Sequence, residues 1–152
     1  MKLAAALNKR ADLQKRIEDL KDRLIRNSKV QEGDTPAENP ESLLNELDNN
    51  IVELEKMIKA INKTNSSTYV DNESIADMIA KRDAIGLKLS VLRSFLDSAA
   101  EKVDRYSKTE IKILSSGNVE EKQKDVDKLE SEYAAIDTKL QGLNWTTDLI
   151  EN

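Results

Sequence analysis

The sequence predicts an all-α protein built from two antiparallel helical hairpins, whose four long helices form a coiled-coil-like bundle. Three observations support this prediction. Apolar residues recur at alternating steps of three and four in four segments, these segments lack the two-residue alternation of a strand, and residues that favour helix starts precede several of them. A mean step of 3.5 residues keeps one apolar stripe facing a partner helix.

The stripes place the helices, in chain order, at residues 3–24, 44–61, 75–106 and 119–143. Asn39 before Pro40 provides an N-cap with proline at the first helical position, and Asn118 with Glu121 resembles a capping box. The stripe of the second helix consists of Leu44, Leu47, Ile51, Leu54, Ile58 and Ile61. Loops are predicted at 28–39, 63–73 and 107–117, and the partial alternation over 109–114 fits either a short strand or a helix extension.

The third helix carries a second apolar stripe, formed by Ala84, Leu87, Val91 and Phe95. At about 100° per residue this stripe lies roughly 120° around the helix from the first one. A helix that is apolar on two sides requires partners on two sides. Either the helix is buried in the centre of one bundle, or the stripe is an interface for self-association or for a protein partner. We favour the second interpretation and expect a homo-oligomer.

The two halves of the chain resemble each other. The first and third helices align at an offset that places Lys9-Arg10 on Lys81-Arg82, and Asn-x-Thr follows both the second and the fourth helix, at Asn62 and Asn144. These matches favour a pseudo-two-fold internal repeat. We therefore predict a single domain over 1–152, with a hairpin at 1–65, a linker at 66–73 and a hairpin at 74–147.

Charge supports antiparallel pairing in the first hairpin. Residues 1–30 contain nine basic and four acidic residues, whereas residues 31–55 contain eight acidic residues and no basic one. Antiparallel pairing places these opposite charges side by side, and exposed pairs contribute only about 0–1 kcal/mol each, so the pattern indicates orientation more than stability. The net charge of −5 argues against a nucleic-acid partner.

The composition excludes much chemistry. The chain contains no Cys and no His, which excludes disulfides, thiolate metal sites and His-dependent nucleophilic catalysis. We expect no catalytic residue, no metal and no cofactor. No apolar run approaches the roughly 18 residues that span a bilayer, so we expect no integral membrane segment.

Two arginines interrupt the apolar stripes, and each is expected to have a polar partner because an unpaired buried guanidinium is costly. Glu55 and Asp137 occupy equivalent points on the helices that face Arg10 and Arg82, which favours salt bridges that fix the helix register. The alternative is a polar pocket for a small anion, lined by Arg10, Arg82, Asn62, Asn144 and Trp145. Trp145 is expected to cap the end of the core or, alternatively, to contact that ligand or a partner.

Acidic residues of the second helix point to a different class of function. Glu46, Asp48, Glu53 and Glu55 are of the type that holds magnesium in helical nucleotide pyrophosphohydrolases. Such a site needs paired carboxylates on facing helices. The acidic residues of the fourth helix are interspersed with Lys, which is typical of a solvated face.

Four loop segments resemble those of a known family: VQEGDTPAE at 30–38, INKTN at 61–65, DRYSKTEIK at 104–112 and NWTT at 144–147. On these segments the chain resembles the septicolysin-like family of small, mostly uncharacterised bacterial helical proteins. The resemblance implies a bacterial, helical, cytoplasmic protein, and the family name implies a thiol-activated, membrane-lysing toxin. The chain departs from a toxin of that kind because it has no Cys and no spanning segment.

These observations predict a non-enzymatic helical-hairpin protein that self-associates or binds a protein partner in the cytoplasm. The predicted interface consists of Ala84, Leu87, Val91 and Phe95. The alternatives are a membrane-active cytolysin-like protein and a metal-dependent hydrolase of the helical nucleotide pyrophosphohydrolase type.

Overall fold

The computed structural model describes residues 1–100 and 119–152, apart from the side chain of Ala100. In these ranges the elements are α1 (Leu3–Arg26), α2 (Pro40–Ser67), β1 (Tyr69–Val70), β2 (Glu73–Ser74), α3 (Ile75–Ala100) and α4 (Val119–Thr146). Helices account for 79% of the described residues, which confirms the all-α class. The predicted continuation of the third helix to Tyr106, the segment 109–114 and the Asn118 cap lie outside the described residues.

The chain divides into two compact units. The first contains Met1–Ile75 together with Gly142–Asn152, and the second contains Ala76–Gln141. The predicted single domain and the pseudo-two-fold repeat stay predictions.

In the first unit α1 and α2 pack as an antiparallel hairpin. Arg23, near the end of α1, pairs at 2.6 Å with Glu38, just before α2 begins. Lys9, near the start of α1, pairs at 3.6 Å with Glu53 in the middle of α2, so the two helices run in opposite directions. The basic N-terminal segment thus lies beside the acidic one, as the charge pattern predicts. The Asn39 cap is also confirmed, because its side chain accepts a hydrogen bond of 2.9 Å from the backbone N–H of Glu41.

The predicted stripe of α2 is partly wrong. Leu44 and Ile51 are 41% and 46% exposed, whereas their neighbour Leu43 and the more distant Met57 are buried. The core-facing side of α2 is rotated towards Leu43, Asn50 and Met57, while Leu47, Leu54 and Ile61 of the predicted stripe remain half-buried or buried. The stripe of α1 is confirmed at Leu3, Ala6, Leu13 and Leu20, which are all buried.

A short β-hairpin, not predicted, follows α2. Tyr69 pairs with Ser74 and Val70 with Glu73 in antiparallel register, which leaves Asp71 and Asn72 as a two-residue loop. Both loop residues have positive φ, 52° and 67°. A two-residue hairpin loop of type I′ requires this left-handed backbone at both positions, and Asp and Asn tolerate it better than other residues with a Cβ.

The two ends of the first unit are joined by backbone hydrogen bonds. Leu3 N–H donates to the carbonyl of Thr147, and Leu149 N–H donates to the carbonyl of Met1, both at 2.9 Å. The Lys2 ammonium and the Asp148 carboxylate add an exposed salt bridge of 2.8 Å, which lowers the pKa of Asp148. The segment after α4 is therefore fixed along the start of α1.

In the second unit α3 and α4 pack as an antiparallel pair. Leu89 and Leu96 of α3 form a buried cluster with Val126 of α4. Partly buried residues surround this cluster: Ile85, Leu92, Val119, Leu129 and Tyr133. These positions belong to the predicted stripes of the third and fourth helices, so the sides on which the two helices face each other are predicted correctly.

Candidate functional site

The outer face of α3, defined by Ala84, Leu87, Val91 and Phe95, is exposed along its whole length. Leu87 is 69% exposed, Val91 62% and Phe95 40%. The interpretation that buries this helix on all sides is therefore wrong. The opposite side of α3 is occupied by α4, so the helix has one partnered apolar side and one side that faces solvent.

The contact between α3 and α4 is close at Gly86. A Cβ added there would lie 3.2 Å from Cε2 of Tyr133, tighter than ordinary van der Waals contact. A groove of about 530 Å³ beside this contact is lined by Gly86, Leu89, Arg93, Glu130 and Tyr133. Arg93 and Glu130 form a salt bridge of 2.7 Å, so the opposite charges at this groove are already paired with each other.

Arg82, half-buried on α3, is held by two carboxylates. It donates from Nη1 to Asp137 at 3.0 Å and from Nε to Asp83 at 3.2 Å. Burial acts to lower the pKa of Arg82, but the hydrogen bonds to Asp83 and Asp137 outweigh it and raise the pKa. The predicted partnership of Arg82 with Asp137 is thus observed, and its guanidinium is a structural cation between two helices.

Arg10, its predicted counterpart on α1, is different. Arg10 is half-buried and has no ion-pair partner among the described residues, and Glu55, its predicted partner, pairs instead with Lys59 at 3.3 Å. The neighbouring Lys9 forms the salt bridge to α2. The equivalence of the two arginines in the sequence does not extend to their contacts.

The remaining residues of the predicted anion pocket are polar groups at or near the surface. Asn62 is exposed, Asn144 is half-buried and Trp145 is 67% exposed. The expectation that Trp145 caps the core is wrong, because most of its side chain faces solvent. Arg10, Asn62, Asn144 and Trp145 belong to the first unit and Arg82 to the second. The pocket stays a prediction.

Thr64 is a buried polar residue whose role the sequence did not indicate. It is fully buried, and its Oγ1 donates to the carbonyl of Ala60 and accepts from the N–H of Ile150, both at 2.8 Å. Thr146, which follows Asn144 as Thr64 follows Asn62, makes the same bond to the carbonyl four residues back, at 3.1 Å, but is exposed. The repeated Asn-x-Thr was the available signal, and it marks a structural contact.

None of the helices in the described ranges combines the length and the apolar character needed to cross a membrane. Within residues 1–100 and 119–152, no group of three or more acidic side chains is placed so that it could hold a metal ion. The acidic residues of α2 singled out by the sequence, Glu46, Asp48, Glu53 and Glu55, are exposed, and two of them pair with lysines.

A family model described as "Family of unknown function (DUF6847)" matches residues 10–149. The chain is also similar to a solved structure, the crystal structure of a functionally unknown conserved protein from Corynebacterium diphtheriae. The two share 37% sequence identity with a TM-score of 0.93, and the match covers 99% of each chain. No curated protein matches the chain. The resemblance to the septicolysin-like family is wrong, because the family model that matches is a different one. The segments on which that resemblance depended are at most nine residues long, too short to identify a family.

Proposed function

We propose that this chain, which belongs to the family of unknown function DUF6847, is a non-enzymatic protein that self-associates through the outer face of α3. The observation that supports this proposal is the exposure of Leu87, Val91 and Phe95 on a helix whose other apolar side is already packed against α4. The occupant we propose is a second copy of the chain.

Burial energetics favour covering this face. Complete burial of a Leu, Val or Phe side chain stabilises by roughly 1.5–3 kcal/mol relative to full exposure. Leu87 and Val91 retain well over half of that exposure, and Phe95 retains 40%. In a two-fold pair both copies would bury these side chains, and this burial offsets a substantial part of the free-energy cost of association.

The test is light scattering on the full chain and on Leu87→Asp/Val91→Asp. At about 100 µM protein, well above a micromolar dissociation constant, we expect the parent to be an oligomer and the variant a monomer. Aspartate at these positions would place carboxylates from both copies in one desolvated interface, which is strongly unfavourable. A monomeric parent, or a variant with the parent's mass, would refute the proposal.

Val52→Asp provides a matched control. Val52 is as exposed as Val91, 62% in each case, and lies on α2 in the other unit. The substitution makes the same change of an exposed valine on a helix, so it should leave the oligomer intact. Circular dichroism of all three proteins checks that a change from oligomer to monomer is not caused by unfolding of the helices.

We also propose that the protein acts in the cytoplasm. The proposal is supported by the complete burial of Leu3 and Ala6, because the apolar run at the start of α1 packs in the core of the first unit. Fractionation of cells that carry the tagged full-length protein tests this location, and recovery from the membrane or the exterior would contradict it.

A further inference from the structure

Three residues of the outer face of α3, Ala84, Leu87 and Val91, are part of a longer uncharged seam. Ala80, Ala84, Leu87, Val91, Ser94 and Ser98 follow one another at steps of four, three, four, three and four, and all six are exposed. This is the a/d spacing of a heptad repeat, with Leu87 at d and Val91 at a. The small residues at both ends allow two helix backbones to approach closely, while the centre supplies the large apolar side chains.

The residues at the centre fit a pair of helices. Within parallel coiled coils, a β-branched residue at a combined with leucine at d favours two strands over three or four. In a parallel pair Leu87 meets Leu87 of the second copy and Val91 meets Val91. In an antiparallel pair Leu87 would instead lie opposite Val91, because the seam is symmetric about residue 89.

The charges beside the seam distinguish the parallel pair from the antiparallel pair. Asp83 and Lys88, both exposed, occupy a g position and the following e position, which face each other across a parallel pair. Asp83 accepts a hydrogen bond from Arg82 of its own helix through Oδ1, but its side chain is 63% exposed. Lys88 has no ion-pair partner in the part of the chain that is described, so it is available for this contact. An antiparallel pair would place Asp83 near Asp97 of the other copy and the two Lys88 side chains near each other, which is repulsive.

We propose that two copies of the chain pair in parallel and in register along this seam, with Asp83 of each copy facing Lys88 of the other. The inference rests on the proposed function and adds the orientation and register of the two copies. It identifies Leu87 and Val91 as self-contacting layers and Asp83 and Lys88 as the residues that select the orientation.

Single cysteines test the orientation without background, because the chain contains no Cys. We expect Leu87→Cys and Val91→Cys, each oxidised alone, to form disulfide-linked dimers. Val52→Cys, equally exposed but on α2, is the control and should remain unlinked. If only a mixture of the Leu87 and Val91 variants cross-links, the pair is antiparallel and this inference is overturned while the proposed function stands. A parent that scatters as a monomer overturns both. If the parent is oligomeric but neither cysteine variant cross-links, the copies do not pair along this seam and the inference is overturned.

Charge reversal provides a second, independent readout. Asp83→Lys or Lys88→Asp alone should raise the dimer dissociation constant by about three- to tenfold, and the double reversal should restore it. Because Asp83 also accepts a hydrogen bond from Arg82, circular dichroism of each variant checks that its helices are intact. In an antiparallel pair Asp83→Lys would relieve the repulsion with Asp97 and lower the dissociation constant. That result, or a double reversal weaker than either single one, would overturn the assignment.

Discussion

Thr64→Val is the substitution whose effect the structure specifies most directly. Thr64 is completely buried, and its hydroxyl is at once a donor to Ala60 and an acceptor from Ile150. Valine has nearly the same shape, so the change creates no large cavity but removes both hydrogen bonds. It leaves the N–H of Ile150 without an acceptor, whereas the carbonyl of Ala60 keeps the helical hydrogen bond from the N–H of residue 64. An unsatisfied buried polar group costs about 1–3 kcal/mol, so we expect a loss of about that size in the free energy of unfolding.

Two measurements separate this mechanism from a general packing defect. Urea denaturation followed by circular dichroism gives the change in the free energy of unfolding, and hydrogen exchange reports whether the amide of Ile150 loses protection. Thr64→Ser is the matched control, because it keeps the hydroxyl and removes one methyl group, at a cost of about 1 kcal/mol. Its Ile150 amide should stay protected. A Thr64→Val protein as stable as the parent, with Ile150 still protected, would refute the reasoning.

Three further predictions concern the salt bridges and a buried amide. The hydrogen bond from Arg23 lowers the pKa of Glu38 below its ordinary value of 4.5, so the bridge stabilises the protein above that pH and is lost as pH falls through the lowered pKa. Arg23→Gln should return the Glu38 pKa towards 4.5 in a carboxyl NMR titration and flatten the acid limb of the stability curve; an unchanged titration would contradict this. Arg82→Met should cost about 1–2 kcal/mol in urea, because it strands a half-buried carboxylate, whereas Arg93→Met, at a more exposed pair, should cost less than about 0.5 kcal/mol; equal losses would be inconsistent with the geometry. Asn27→Ala should cost about 1–3 kcal/mol, since the buried Asn27 side chain donates to the carbonyl of Arg23 and accepts from the N–H of Glu38; retained protection of the Glu38 amide would count against that role.

The helices were predictable because apolar periodicity is a local property, but the rotation of α2 was not. The heptad fits Leu44 and Ile51 better than Leu43 and Asn50, since position 50 is polar. The folded helix nevertheless leaves Asn50 half-buried and Ile51 46% exposed. Where leucines are adjacent, as at 43 and 44, the sequence allows either rotation, and packing against α1 decides between them.

The candidate site shows the same division between local and distant information. The outer face of α3 could be predicted because the angles between Leu87, Val91 and Phe95 depend only on helix geometry. The role of Thr64 could not, because its partner Ile150 is 86 residues away and no periodic pattern connects them. The β-hairpin after α2 was missed because its strands are two residues long, too short for an alternating pattern to be recognised.

The solvent exposure of Trp145 also determines how this protein is best followed in solution. It is the only indole in the chain, and in the folded state two thirds of it is in contact with water. Its emission should therefore change little on denaturation, which makes tryptophan fluorescence a poor unfolding signal here. Because it is accessible, Trp145 can also report the binding of any molecule to the last turn of α4. Collisional quenching by acrylamide would fall when that surface is covered.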